Sequence, residues 1–185
     1  MTVHLLHVQL LGTSEAIWRK LLVPSNFSLD TVHLVFQAAM GWHNAHLHSF
    51  TRGARTWGPS WPELDELEME AEERVTLAEL AEEGEQFTYL YDFGDSWRHF
   101  VEAERVLDSQ TGVNLRRAFC VQGRAACPPE DCGGVNGFED LLATLETRRQ
   151  PEYGEVVDWL GDWEPLRFHP NDANQRLAKI KQARK

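Results

Sequence analysis

The stretch of residues 89–100, YLYDFGDSWRHF, constrains the fold more than any other part of the chain. Aromatic and polar residues alternate on both sides of Gly94 and Asp95, and a period of two is typical of a β-strand. Glycine takes the first, positive-φ position of a type II′ turn without steric cost. The stretch therefore predicts a β-hairpin that turns at Gly94-Asp95.

The predicted turn decides which side chains share a face of this hairpin. It places Asp92 opposite Trp97, and Leu90 opposite His99, on one face. The other face carries a largely apolar set that we expect to meet the core: Phe87, Tyr89, Tyr91, Phe93, Arg98 and Phe100. The polar side chains beside a rigid turn form a candidate binding site.

The other elements predict an α+β fold. Ser28 precedes an apolar repeat at intervals of three and four, which indicates an N-capped amphipathic helix from Leu29 to Gly41. Alternation predicts strands at 3–11, 16–23 and 45–52, and helices are expected from Thr76, over 137–146, over 152–160 and over 171–183. The order ββαβ-αββ, then helices, predicts a single domain with a mixed or antiparallel sheet and helices on one face.

Composition narrows the class of protein. The 185 residues are 42% hydrophobic, enough for one domain with a core. No apolar run approaches the roughly 20 residues that a membrane-spanning helix needs, so we expect no membrane association. The three cysteines are an odd number in a long chain and predict no disulfide framework. A reducing cytoplasm is the expected location.

The net charge of −11 is concentrated in one segment. Residues 63–85 contain eleven acidic side chains and one basic, and the remainder of the chain is close to neutral. We expect residues 63–75 to form an exposed acidic insert or loop. The chain has no basic stripe of the kind that binds phosphate backbones, so direct nucleic-acid binding is not expected.

A group of histidines in residues 41–50, GWHNAHLHSF, is a candidate metal site. On a strand, His46 and His48 point to the same face, and two imidazoles at i and i+2 can share a divalent metal ion. The hairpin could complete the candidate group with Asp92, Asp95 and His99. The alternative is that these histidines form hydrogen bonds within the fold and hold no metal.

The segment RAACPPEDCGG, residues 124–134, combines a backbone restricted by prolines with a backbone made flexible by glycines. Two prolines fix an extended stretch, two glycines permit a tight reversal, and Glu130 and Asp131 lie between them. Such a loop presents groups to a ligand, or its carboxylates cap backbone amides or pair with Arg124. We interpret residues 109–137 as an ordered loop with reduced cysteines, because their spacing lacks a tight C-x2-C zinc knuckle.

Trp57 and Trp61, bracketed by glycine and proline, are candidates for an exposed contact surface.

Five segments together resemble the plasmid pRiA4b ORF-3-like family: IWRKLLVPS, FQAAMGWHNAHLHSF, YLYDFGDSWRHFVEAE, GRAACPPEDCGGVNGFEDLL and VVDWLGDWEPLRF. The resemblance covers about residues 3–170 and implies one α+β domain over 1–170, with a C-terminal helical basic tail over 171–185. That family is associated with plasmids and mobile elements, and some members carry a TnpR-like label. It brings no established activity, cofactor or catalytic residue. The serines of this chain lack the arginine cluster of a serine recombinase, so that activity is not carried over.

Two functional hypotheses follow. The first is a non-catalytic module that recognises a protein or small-molecule ligand through His46, His48, Asp92, Asp95, Trp97, His99, Glu130 and Asp131. The second is a metal-assisted hydrolase that uses the histidine and aspartate group described above. There a bound metal ion would lower the pKa of a water molecule, with Asp131 or Glu130 as the base.

Overall fold

The structure, a computed structural model, describes residues 2–60, 68–108, 115–148 and 151–180. Its strands are β1 (Val3–Leu10), β2 (Trp18–Pro24), β3 (His48–Arg52), β4 (Arg55–Gly58), β5 (Glu70–Ala71), β6 (Gln86–Tyr91), β7 (Trp97–Leu107) and β8 (Phe119–Arg124). Its α-helices are α1 (Leu29–Met40), α2 (Leu77–Leu80), α3 (Gly134–Thr147), α4 (Tyr153–Leu160) and α5 (Pro170–Leu177), and a short 3-10 helix spans Glu72–Arg74.

The strands form one open sheet in the order β5-β4-β3-β6-β7-β1-β2-β8. Neighbouring strands are antiparallel, except for the parallel pair β4 and β5. The predicted α+β fold with a mixed sheet is therefore confirmed. No α-helix within the described ranges is long and apolar enough to span a bilayer.

The core lies between α1 and one face of the sheet. Burial alternates along β1, where Leu6 and Val8 are fully buried and their neighbours are half-buried. Helix α1 ends at Gly41, whose φ of 102° is the left-handed conformation that glycine adopts most readily. The outer face of the sheet is more polar and carries an ion pair between Lys20 and Glu104 at 3.0 Å.

The central hairpin forms with a register different from the predicted one. Tyr91 pairs with Trp97 and Tyr89 pairs with His99, one residue away from the expected pairing. The turn is longer than a two-residue type II′ turn because Asp92 adopts a φ of 57° and leaves the strand. Its Oδ1 accepts hydrogen bonds from two turn amides, at 2.9 and 3.2 Å, which stabilises this longer turn.

The shifted register places Trp97 and His99 in the core. A shift of one residue transfers every side chain of a strand to the opposite face. Both side chains are fully buried beside Tyr89 and Tyr91, whereas Arg98, which we expected in the core, is exposed. The prediction of a polar face shared by Asp92, Trp97 and His99 is therefore wrong.

Helix α5 covers the edge strand β8, which the sequence analysis interpreted as loop. The prediction of a continuous loop is wrong for residues 119–124, and residues 109–114 lie outside the described ranges. The Asn174 side chain accepts from the backbone N–H of Cys120 at 2.7 Å and donates to its carbonyl at 2.9 Å. One amide side chain thus satisfies both free backbone groups of this edge residue, which limits pairing with another strand.

We expect the substitution Asn174→Ala to lower the free energy of unfolding by about 2 kcal/mol, because it leaves the Cys120 amide and carbonyl unpaired at a part-buried edge. Urea unfolding followed by circular dichroism measures the change. The matched control is Gln175→Ala, an exposed position of the same helix, where we expect less than about 0.5 kcal/mol. Equal effects of the two substitutions would contradict the role given to Asn174.

The described part of the acidic segment, residues 68–85, is built into the fold. Glu72 is 5% exposed, so the expectation of a solvated loop is wrong for this residue. Glu70 pairs with Arg55 at 2.6 Å.

Trp57 is buried, in contrast to the exposed surface predicted for it, and Trp61 and residues 63–67 lie outside the described ranges.

Helix α5 buries Ala173 and Leu177, and it packs against α1 and β8. The predicted basic tail over 171–185 thus begins with a helix that contacts the rest of the domain. The division of the chain at residue 170 stays a prediction, and residues 181–185 lie outside the described ranges.

Candidate functional site

Four side chains from three distant segments meet at one end of the central hairpin, and we call them the His46 cluster: His46, Asp92, Glu130 and Asp131. The Nε2 atom of His46 lies 3.1 Å from Asp131 Oδ1. It lies 3.7 Å from Asp92 Oδ2 and 3.7 Å from Glu130 Oε2. The segment after α1, the β6–β7 turn and the loop before α3 each contribute to the cluster.

Two carboxylates of the cluster are each held at one oxygen. Asp92 uses Oδ1 to accept from the turn amides, and its Oδ2 is the oxygen near His46. Glu130 uses Oε1 to accept from the backbone N–H of His43 at 2.8 Å and from the Tyr91 hydroxyl at 3.1 Å. Because one oxygen of each carboxylate is fixed, the orientation of the other oxygen toward His46 is fixed as well.

The loop that carries Glu130 and Asp131 packs directly on the hairpin turn. The backbone N–H of Gly133 donates to Asp95 Oδ2 at 3.3 Å. Trp42 donates through Nε1 to the carbonyl of Pro128 at 2.9 Å. Asp95 therefore holds the loop in place, and its carboxylate lies outside the His46 cluster.

His48 belongs to a separate group, which we call the buried network: His33, His48, Glu72 and Tyr89. The Nε2 atom of His48 lies 2.8 Å from Glu72 Oε2, and its ring stacks on that of His33 with centroids 3.4 Å apart. His33 bonds through Nδ1 to the Tyr89 hydroxyl at 2.7 Å. The two imidazoles also line an open cleft of about 580 Å³ that His46 borders.

Burial keeps the buried network uncharged. It lowers the pKa of His33 to about 3 and that of His48 to about 4, and it raises the pKa of Glu72 to about 8. At neutral pH the Glu72 carboxyl is therefore protonated and donates to the neutral His48 ring. The sequence analysis missed His33 and Glu72. A histidine four residues after Leu29 and three before Phe36, beside the apolar stripe of α1, was the available signal.

The predicted site residues thus separate into different environments. The structure brings together His46, Asp92, Glu130 and Asp131. His48 lies in the buried network, Asp95 holds the loop, and Trp97 and His99 are in the core. Burial lowers the pKa of His99 to about 4, and its Nδ1 lies 3.3 Å from the Tyr89 carbonyl. Of the five residues in the predicted metal group, only His46 and Asp92 are close together.

The cysteines are free thiols in the described part of the chain. Burial raises the pKa of Cys127 to about 11 and that of Cys132 to about 12. Both side chains are therefore protonated at neutral pH, and the thiolate is the form that attacks substrates or binds metal. Within the described residues, the group of His, Cys, Asp and Glu side chains close enough to hold a metal ion is His46, Asp92 and Asp131, with no cysteine.

An open cleft of about 530 Å³ borders the His46 cluster on the side of Glu130. Its lining includes the side chains of Trp42, Trp159, Trp163 and Phe168. Trp163 donates through Nε1 to the Cys127 carbonyl at 2.9 Å, which fixes its ring in the wall. Trp159 on α4 is 54% exposed, so a large aromatic surface faces solvent at the rim of the cleft.

The fold and the site define a single α+β domain with an open eight-stranded sheet, a histidine–carboxylate cluster and an adjoining aromatic cleft. The chain belongs to the plasmid pRiA4b ORF-3-like protein family, whose model matches residues 2–176. It is 31% identical over 157 residues to the uncharacterized protein y4hQ of Sinorhizobium fredii, covering 84% of this chain and 79% of that protein.

A solved structure supports the same assignment. The crystal structure of MM3350, a protein of unknown function from Methanosarcina mazei Go1, matches this chain with a TM-score of 0.82 and 33% sequence identity. The match covers 92% of this chain and 97% of that one. The family and the fold are therefore shown, and these uncharacterised relatives supply no activity.

The buried network predicts how stability depends on pH. Between about pH 4.5 and 8 the folded protein keeps a proton on Glu72 that the unfolded chain releases, so stability falls as pH rises through this window. His33 and His48 have lowered pKa values, so the unfolded chain takes up more protons below about pH 6.5 and stability falls toward acid. His99 acts in the same direction as these two histidines, so we expect maximal stability between about pH 6.5 and 7.

We expect Glu72→Gln to remove the alkaline decline, because a neutral amide donates to His48 at every pH. Between pH 6.5 and 8 the Glu72 contribution should lower the unfolding free energy of the wild-type chain by about 1.5 kcal/mol, partly offset by the histidines, whereas the variant should show no decline. Urea unfolding at half-unit pH intervals measures both profiles. Glu73→Gln, at the exposed neighbouring position, is the matched control. A decline that persists in the Glu72 variant would contradict the assignment.

Proposed function

We propose that this chain is a non-catalytic protein-binding module that takes up a basic segment of a partner protein on helix α4 and the adjoining aromatic cleft. The observation that carries the proposal is the exposed apolar surface of α4, which consists of Val157 and Trp159, while Val156 and Leu160 pack partly against the core. Val157 is 37% exposed and Trp159 is 54% exposed. Apolar side chains left in contact with solvent on one element are typical of interaction surfaces.

The charge around α4 determines the kind of partner. Residues 151–164 contain five acidic side chains and no lysine or arginine. A segment with an exposed tryptophan and five carboxylates favours a partner with lysine or arginine and an apolar anchor, although Arg167 and Arg176 also line the adjoining cleft. Tryptophan is also among the residues that most often dominate binding energy at interfaces.

The cleft beside α4 supports a preformed site. Trp42 and Trp163 are held by hydrogen bonds to the carbonyls of Pro128 and Cys127. Fixed walls lower the entropy lost on binding, because fewer side chains must become ordered. An apolar anchor can enter between these rings while basic groups contact the carboxylates of the rim.

The metal-assisted hydrolase is the less favoured hypothesis, since only two of its five candidate ligands lie together. The association of this chain with mobile elements and the absence of direct nucleic-acid binding both stay predictions. The proposed surface differs from the eight residues predicted from the sequence, since α4 contains none of them and Glu130 alone lines the cleft.

Fluorescence anisotropy with labelled peptides tests the proposal. The probes are lysine- and arginine-rich peptides of about 12 residues with one leucine anchor. Two sets of control peptides are used. In the first set the basic residues are replaced by glutamate, and in the second set the leucine is replaced by serine. We expect salt-sensitive binding of the basic, anchored peptides and about tenfold weaker binding by Trp159→Ala.

Val121→Ala is the matched control, because this side chain is 47% exposed on β8, away from α4. We expect it to bind as the unsubstituted chain does. Absence of binding by every basic peptide, or unchanged affinity in Trp159→Ala, would refute the α4 surface as the binding site.

A further inference from the structure

We propose that the His46 cluster binds one zinc ion. Zinc in proteins is bound at about 2.0–2.2 Å by imidazole nitrogen and carboxylate oxygen, usually in a tetrahedron whose ligand atoms are about 3.3 Å apart. The His46 Nε2 atom lies 3.1 Å from Asp131 Oδ1 and 3.7 Å from an oxygen of both Asp92 and Glu130. His46, Asp92 and Asp131 present ligand atoms that all lie within 4.8 Å of one another, so small side-chain movements would bring these three to one ion, and Glu130 lies beside this group.

The ligand atoms are oriented before any ion arrives. Backbone amides hold one oxygen of Asp92 and one of Glu130, and the second oxygen of each faces His46. Tyr91 also bonds to Glu130 and packs edge-on against the His46 ring, with centroids 5.8 Å apart. Groups that orient ligands in this way raise metal affinity, because less side-chain entropy is lost on binding.

Within the described residues, the cluster has an imidazole nitrogen without a hydrogen bond and no lysine or arginine paired with its carboxylates, although the Tyr91 hydroxyl also lies 3.3 Å from Glu130 Oε2. His46 Nε2 is buried and makes no hydrogen bond, although carboxylate oxygens lie close to it. In the described part of the chain, no lysine or arginine forms an ion pair with Asp92, Glu130 or Asp131. A divalent cation at the centre would reduce the repulsion among three carboxylates and provide a partner for the imidazole lone pair.

The donor set selects the kind of metal. One imidazole nitrogen together with carboxylate oxygens suits zinc, whereas magnesium and calcium favour sites made entirely of oxygen. Asp131 is 74% exposed at its side chain, so the ion can enter from solvent. Bound zinc would join the segment after α1, the hairpin turn and the loop before α3. This inference is independent of peptide binding at α4.

Isothermal titration of chelator-treated, full-length protein with zinc chloride tests the site. We expect one zinc ion per chain, a higher melting temperature with zinc, and much weaker binding of magnesium. We expect His46→Ala to weaken zinc binding by about 100-fold. Asp131→Asn should weaken it by at least about tenfold, and because this side chain is exposed, the variant should fold normally.

His7→Ala is the matched control, because it removes a histidine from the outer face of the sheet, far from the cluster along β1. It should bind zinc like the unsubstituted chain. Lack of stoichiometric zinc binding would overturn the proposal, as would unchanged affinity in both cluster variants. Equal losses in the control and in His46→Ala would instead indicate adventitious surface binding and would also overturn it.

Discussion

Replacement of Arg19 by methionine should lower the free energy of unfolding by about 3–5 kcal/mol. The Arg19 side chain is 1% exposed and donates to the carbonyls of Ala39, Trp18 and Arg124 at 3.0, 2.7 and 2.9 Å. Its guanidinium also lies over the Phe168 ring, 3.8 Å from the centroid. One side chain therefore joins the end of α1 to β2, β8 and the segment before α5.

The physical reason for this large effect is the number of carbonyls left without a donor. No carboxylate in the described ranges pairs with Arg19, and burial lowers the pKa of its guanidinium. The charge is stabilised by carbonyl dipoles, and the Ala39 carbonyl lies at the negative end of α1. Methionine fills much of the volume but donates no hydrogen bond, so one buried and two part-buried carbonyls lose this donor.

Urea unfolding of Arg19→Met and Arg19→Lys measures this effect. Lysine keeps the charge but lacks the planar fork, so its effect should be intermediate. Arg98→Met is the matched control, because Arg98 is an exposed strand residue, and we expect a change of less than about 0.5 kcal/mol. A loss below about 1 kcal/mol in Arg19→Met would contradict the structural role.

Local patterns predicted the fold class because the relevant signals are short-range. The helix predicted after Ser28 and its end at Gly41 are both present, and they follow from the apolar repeat and the glycine, since Ser28 occupies the N-cap position without a side-chain capping hydrogen bond. The capping box predicted from Thr76 and Glu79 is also present. These signals depend on residues within one or two helical turns, so the sequence alone contains them.

The hairpin register could not be obtained in the same way. Gly94-Asp95 is compatible with a two-residue turn, but the Asp92 carboxylate bonds to the turn amides and favours a longer one. The longer turn is also favoured because its register buries Trp97 in the core. Burial depends on tertiary packing, and a difference of one residue inverted the predicted faces.

The part of the candidate site that depends on local sequence was predictable, and the part that depends on long-range packing was not. Glu130 and Asp131 lie between prolines and glycines, a pattern typical of a loop that presents groups, and they reach Asp92 and His46. The position of His48 depended instead on Glu72, a buried residue within an acidic stretch. Which carboxylate of such a stretch becomes buried is decided by long-range packing, and its sequence carries no local signal for that.

The contact between the start of α3 and the hairpin turn should be a further sensitive point of the fold. Gly134 has a φ of 68°, and a Cβ at this position would lie 2.7 Å from the carbonyl oxygen of Asp95. We expect Gly134→Ala to lower the free energy of unfolding by about 3–4 kcal/mol, since the left-handed conformation and the backbone clash both contribute. Urea unfolding measures the change.

Gly53→Ala separates the two contributions to this effect. Gly53 also has a positive φ, of 60°, but no atom lies within 4 Å of a Cβ placed there. Its substitution should therefore cost only the conformational term, about 1 kcal/mol. The clash at Gly134 would also move Asp131 away from His46, so zinc binding should weaken by at least about tenfold in Gly134→Ala and be unchanged in Gly53→Ala. Similar unfolding free energies for the two variants would show that the loop can shift away from Asp95, and that its close packing does not position the His46 cluster.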